Sequence, residues 1–298
     1  MNYTISALPT PFEENRIDFT SLENLFNYQI QNGINGIVLS GSTGEGHTLS
    51  KEEWYSLISF GIEKLRGKTE VIAGVGFNYT ERAVEYAKMA EQIGVDSILA
   101  TVPYYNKPQQ DGIYQHFAMI AECAKKTNII LYNVPSRTAT DIANETIVRL
   151  AKNYKNIIGL KDATGKLERV AELKALLEED DVINFRLLSG EDATQIGFNA
   201  MGGNGVISVV SNINPQLCCQ IQKFCENNDF ANAVKKQNTL FRLSKIMFIE
   251  TNPVPVKYAL YKMGIIKTDD LRLPLVNLSE KSKKIINDVL KITKNEKN

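Results

Sequence analysis

Histidine is nearly absent from the chain. His47 and His116 are the two it has, and their spacing suggests no metal site. An enolate held by a metal is therefore not expected, and His116 in "YQHFAMI" reads as a helix residue with a satisfied hydrogen bond. Cysteine is scarce too. Cys123, Cys218, Cys219 and Cys225 form neither a CxxC pair nor a spaced framework, which sets aside zinc ribbons and disulfide scaffolds. The last three lie in an apolar-periodic stretch, where cysteine serves as a small buried hydrophobe. No sign of charge dominates, with 34 Lys+Arg against 34 Asp+Glu. Without a basic block, neither nucleic acid nor an anionic membrane is an expected partner. Apolar runs are short as well, and none approaches the roughly 18 to 20 residues that span a bilayer. The amino terminus, MNYTISALPT, lacks the basic and apolar regions of a secretory signal, so a cytoplasmic location is expected.

What the chain does have is a repeated short apolar run followed by a turn signal. These runs are "TISALPTPF", "NGIVLSGS", "EVIAGVGF", "DSILATVP", "NIILYNVP", "IIGLKDAT", "NFRLLSGED" and "NGVISVVSN". Their spacing of about 20 to 35 residues is that of βα units and not of hairpins. Segments between them carry a helical period: in "TERAVEYAKMAEQ", Ala83, Ala87 and Ala90 share one face. Apolar strands alternating with amphipathic helices imply a parallel sheet covered by helices. Eight such units match a (β/α)8 TIM barrel better than an open doubly wound sheet. The barrel is expected over residues 1–227 and a C-terminal helical extension over 228–298. Helices are expected there at about 229–248, 254–263 and 279–293, with a frayed polar tail from Lys294 to Asn298.

In such a barrel the chemistry sits where strands end. Lys161 is the sharpest signal, because it closes the run Ile157-Ile158-Gly159-Leu160-Lys161, which otherwise reads as buried strand. An ammonium withdrawn from water is disfavoured relative to its free amine. A free amine attacks a ketone to give a Schiff base, which acidifies the adjacent carbon and yields an enamine nucleophile. Asp162 should not oppose this, since successive strand residues face opposite sides. Imine formation also needs protons moved, so hydroxyls should stand beside the lysine, and Tyr132, Tyr105 and Thr43 all sit at strand ends. Thr43 lies in "SGSTGEGHTLS", a loop whose single carboxylate and glycines are compatible with phosphate chemistry, acyl chemistry or a plain turn. It lacks the GxxxxGK[ST] pattern, and "MGGNGVIS" leads into a strand and not a helix, so neither reads as a phosphate cradle. Thr43 can offer its hydroxyl and N–H to a carboxylate, and Arg137 offers a planar fork for a second one.

Taken together, "GSTGE", "VPYYNKP", "LYNVPSRT", "GLKDATG", "SGEDA", "GGNGVISV", "ETNPVPVKYAL" and "LRLPL" resemble the dihydrodipicolinate synthase family, one branch of the pyruvate-dependent class I aldolases. The resemblance runs from Leu8 to Glu280. N-acetylneuraminate lyase belongs to the same superfamily, and Ser42 departs from the two threonines usual in the synthases. "YNVPSRT" favours the synthases, because the lyases lack the arginine. The resemblance implies condensation of pyruvate with L-aspartate 4-semialdehyde and ring closure, in lysine (diaminopimelate) biosynthesis, without metal or other cofactor. It makes Lys161 the imine-forming residue and Tyr132 the proton donor and acceptor. Ser42 and Thr43 would link Tyr132 to Tyr105, Thr43 and the backbone of Ile207 would hold the pyruvate carboxylate, and Arg137 would place the semialdehyde.

It also implies that Tyr105 reaches a neighbouring subunit's site, making a homodimer the smallest complete unit, commonly doubled into a tetramer. Feedback by lysine is less expected. The matching positions are Gly46, His47, Lys51, Trp54, Asn78, Arg82 and Tyr104, and Lys51 and Arg82 put positive charge where a cationic ligand would sit. Two other functions stay open on sequence: a sister pyruvate aldolase with a different aldehyde, and a non-catalytic barrel that binds a keto acid.

Overall fold

A computed structural model of the chain describes residues 2–295, with side chains as far as Lys291. Ten strands occur among these residues: β1 (Tyr3–Ala7), β2 (Phe12–Glu13), β3 (Arg16–Ile17), β4 (Gly36–Leu39), β5 (Glu70–Val75), β6 (Ser97–Thr101), β7 (Asn128–Asn133), β8 (Ile157–Asp162), β9 (Arg186–Ser189) and β10 (Gly205–Ser208). Eight of them close a parallel barrel in the order β1-β4-β5-β6-β7-β8-β9-β10, with β10 returning to β1. This is the expected (β/α)8 barrel.

The strands read as unbroken apolar runs because both of their faces are covered. Inside, Ile5, Val38, Ile72, Leu99, Ile130, Leu188 and Ile207 form one cluster. Outside, their neighbours Ile37, Leu39, Val71 and Ala73 join a second cluster with helix residues such as Leu22, Leu25, Leu57 and Ala87. Each fully buried Leu or Ile contributes about 1.5–3 kcal/mol relative to exposure. The helix expected over residues 80–92 runs Thr80–Ile93, buries Ala83, Ala87 and Ala90 and ends on Gly94 in the left-handed region. Helix Lys51–Leu65 starts in a capping box, in which Ser50 and Glu53 satisfy each other's backbone N–H.

Cys218 and Cys225 are buried in helix Pro215–Glu226. His116 is buried in helix Gln110–Cys123, its Nδ1 3.0 Å from Thr80 Oγ1, and burial pushes its pKa down to about 4.

The pair β2–β3 was not expected. It is an antiparallel hairpin after β1, closed by Glu14 and Asn15, both at positive φ. That is the backbone of a type I′ turn, but Glu-Asn lacks the glycine that usually announces one.

Beyond the barrel, helices run Phe230–Ile246, Val254–Lys262 and Glu280–Asn295. The last helix passes Lys294, where a frayed tail was expected, and residues 296–298 lie outside the described ones. Leu240, Leu243, Val256, Leu260 and Ile286 share the outer apolar cluster with the barrel helices, so the extension and the barrel have one continuous core. Among the described residues no helix is long and apolar enough to cross a membrane.

Candidate active site

Lys161 stands at the end of β8, in register with Tyr132 on β7 and Leu188 on β9. It is 7% exposed, and its Nζ lies 4.2 Å from the centre of the Tyr132 ring. Asp162 faces the other way, as strand alternation requires. Its carboxylate meets Arg169 Nε at 3.2 Å and accepts the Thr164 N–H at 2.9 Å. Burial raises the Asp162 pKa and the Arg169 charge opposes that rise. The Lys161 amine thus lies against an aromatic ring, with Asp162 turned away and the charges of Glu191 and Asp192 near enough to feel it.

Tyr132 also belongs to the wall of a cavity of about 390 Å³, shared with Ser42, His47, Tyr104, Arg137 and Thr138. Arg137 comes from a short helix, Pro135–Thr138, that begins directly after β7 with proline at its first turn.

The loop after β4 is held on several sides. Glycine is needed at positions 46 and 74 because a Cβ at either would collide with the Ser40 carbonyl. Thr10 Oγ1 donates to the Gly44 carbonyl at 2.6 Å. Thr43 is buried, and its Oγ1 accepts from Asn252 Nδ2 at 2.9 Å.

Glu45, the loop's one carboxylate, is fully buried at positive φ and pairs with the equally buried Lys257 at 2.5 Å. It also accepts the Arg272 N–H at 3.1 Å. Burial pushes Lys257 down to about 8 against the pull of Glu45. The ammonium further lies 4.1 Å from the Phe12 ring centre and donates to the Asp270 carbonyl at 2.7 Å. Arg272 in turn stacks on Phe12 and pairs with Glu53. The carboxylate therefore fastens the loop to the C-terminal extension.

Ile207 lies on β10 in the barrel interior. The turn that follows is fixed by the buried Asp192, which accepts the Val209 and Val210 N–H groups at 3.0 and 3.2 Å and the Ser208 hydroxyl.

Tyr132, Ser42 and Arg137 thus share the cavity wall, while Lys161, against the Tyr132 ring, Thr43, next to Ser42 in the loop after β4, and Ile207, in the barrel interior, lie outside that wall. Tyr105 instead points to solvent. It is 86% exposed at positive φ and lies outside the cavity wall, where Tyr104 stands instead.

The residues matched to a lysine site are engaged elsewhere. Trp54 is buried, with its indole N–H on the Gly74 carbonyl at 3.1 Å and its ring edge-on to Tyr86. Arg82 stacks on Phe77 with its guanidinium carbon 5.0 Å from the ring centre, and Lys51 pairs with Glu85. The Asn78 carbonyl accepts from Asn106, and His47 and Tyr104 line the cavity beside Tyr132 and Arg137.

Sequence reasoning missed Asn252 and the role of Glu45. Asn252 lies 209 positions from Thr43, and its position before a proline-punctuated helix was the one local sign it gave.

A closed barrel with a buried lysine and a tyrosine on adjacent strand ends, beside a cavity bearing an arginine, defines a lysine-dependent aldolase class of enzyme. The dihydrodipicolinate synthetase family model matches residues 1–293, and the chain belongs to that family. It is 44% identical over 287 residues to the 4-hydroxy-tetrahydrodipicolinate synthase of Bartonella bacilliformis, covering 96% of each chain. The dihydrodipicolinate synthase structure from Aquifex aeolicus superposes with a TM-score of 0.95 at 37% identity, covering 99% of this chain and 98% of that one. The chloride-inhibited enzyme from Acinetobacter baumannii, solved with pyruvate, superposes with a TM-score of 0.91 at 40% identity, covering 97% and 98%.

Proposed function

We propose that the chain works as a 4-hydroxy-tetrahydrodipicolinate synthase with Lys161 as its covalent residue. The Lys161 amine attacks the keto carbon of pyruvate, and loss of water leaves an imine. Tyr132, whose ring lies against Nζ, moves the protons between amine, departing hydroxyl and solvent. Loss of a methyl proton gives the enamine, which attacks the aldehyde carbon of L-aspartate 4-semialdehyde. The semialdehyde's amino group then attacks the imine carbon, closes the ring and releases the Lys161 amine. Thr43 and the Ile207 backbone hold the pyruvate carboxylate, and Ser42 and Thr43 continue the hydroxyl chain from Tyr132. Tyr105 completes that chain in a second subunit, which accounts for its exposure here, so the working unit is at least a homodimer and commonly a tetramer. The observation that carries the reading is the buried lysine on a strand end, its amine against the Tyr132 ring, beside a cavity that also holds Arg137.

Arg137 separates this reading from a sister aldolase. Arg137→Ala should still form the pyruvate imine while losing on the order of a hundredfold in semialdehyde turnover, the scale of a lost charge-assisted contact. Loss of imine formation as well, in folded protein, would place Arg137 on pyruvate instead. For regulation, the engagement of Trp54 and the charges of Lys51 and Arg82 lead to weak or absent inhibition by lysine. A titration of the synthase reaction with L-lysine is expected to leave activity nearly unchanged at sub-millimolar concentrations, and strong inhibition there would contradict this.

A further inference from the structure

We infer that Asn252 is a positioning residue that fixes the direction of the Thr43 hydroxyl and so the hydrogen bond it donates to the pyruvate carboxylate. The inference rests on the assignment of Lys161 and Thr43 proposed above.

Asn252 comes from the C-terminal extension, yet it is buried beside the loop after β4. Its Nδ2 donates to Thr43 Oγ1 at 2.9 Å, and its main-chain carbonyl faces Arg137 Nη2 at 3.4 Å. One residue therefore contacts both groups assigned to substrate carboxylates. The side chain holds the first and the main chain the second.

A threonine hydroxyl has one hydrogen and two lone pairs. With a lone pair occupied by an amide donor that has no lone pair to offer in return, the hydroxyl hydrogen must be given elsewhere. In the relay proposed above, Ser42, Tyr132 or the substrate would receive it. Asn252 Oδ1 has no hydrogen-bond partner among the described residues. Leaving a buried acceptor unsatisfied costs stability, so the amide is not optimised for packing alone. Its donor end is the part in use. An acceptor at this position would draw the Thr43 hydrogen toward the C-terminal extension and away from the substrate.

The test uses the full-length protein and two variants of nearly the same shape. Asn252→Leu removes the donor without adding charge, and Asn252→Asp replaces the donor with an acceptor. The rate of imine formation is followed by timed borohydride reduction with pyruvate and mass measurement. The KM for semialdehyde and the melting temperature are measured beside it.

Asn252→Leu is expected to melt close to the parent, and Asn252→Asp, which buries a carboxyl without a charge partner, somewhat lower. Imine formation should be slowed about tenfold in Asn252→Leu, the scale of one hydrogen bond, and more in Asn252→Asp. The KM for semialdehyde should stay within about twofold, because the main-chain carbonyl still faces Arg137. If Asn252→Leu fails to fold, Asn252→Asp carries the test. Imine formation at the parental rate in Asn252→Asp would overturn the inference, as would a defect confined to the semialdehyde KM. Failure of the parent protein itself to trap pyruvate would instead overturn the assignment of Lys161 beneath it.

Discussion

Lys161→Met is expected to abolish covalent capture of pyruvate and to lower turnover at least about a thousandfold, because a thioether cannot attack a ketone. The variant should fold, since the Lys161 amine packs on the Tyr132 ring and, among the described residues, forms no ion pair that methionine would orphan. Methionine fills a similar volume with a flexible apolar chain. Borohydride treatment with pyruvate, read by mass, separates the two states: the parent gains a reduced adduct and Lys161→Met gains none. An adduct of equal yield in the variant would mean that another amine does the chemistry. Lys257, the other deeply buried lysine described here, would then be the first to examine, although its ammonium is already bound by Glu45 and the Asp270 carbonyl.

Lys257→Met is expected to produce the largest loss of stability. Glu45 and Lys257 are both fully buried, and the pair ties the loop carrying Thr43 to the C-terminal extension. Removing one partner leaves an unpaired charge inside the protein, a change that costs roughly 3–5 kcal/mol. The Arg272 N–H remains on Glu45 and offsets only part of that. Glu45→Gln combined with Lys257→Met should recover part of the loss, because no buried charge is then left without its partner. Urea unfolding of the two single variants and the double variant measures this directly. Strict additivity would show that the pair does not act as a unit. The single variant should also form the pyruvate imine more slowly, since Ser42 and Thr43 lie three and two positions from Glu45 and lose their anchor.

The barrel was legible because its signals are local. Each apolar run is bounded by turn residues, and the alternation of Val38 inward with Ile37 and Leu39 outward makes every strand apolar on both faces. Lys161 was legible for the same reason, as a charge closing an apolar strand. The three C-terminal helices showed in their period and in the prolines between them. What escaped was either pairing across long separations or backbone that no side chain announces. Glu45 with Lys257, and Thr43 with Asn252, join residues more than two hundred positions apart. No periodicity carries such information. The motifs "ETNPVPVKYAL" and "LRLPL" could be noticed as patterns, but their physical content became visible only when Asn252, Lys257 and Arg272 were seen gripping the loop after β4. The β2–β3 hairpin escaped because Glu14 and Asn15 adopt positive φ without a glycine between them.

The most direct test of the central claim is pyruvate consumption by the purified protein with and without L-aspartate 4-semialdehyde, following the cyclic product. The account predicts consumption that depends on the semialdehyde and yields one cyclic product for each pyruvate used. Folded protein that traps pyruvate on Lys161 but turns over no semialdehyde would contradict the synthase assignment and point to a sister aldolase acting on another aldehyde. Protein that neither traps nor consumes pyruvate would leave only a barrel that binds a keto acid.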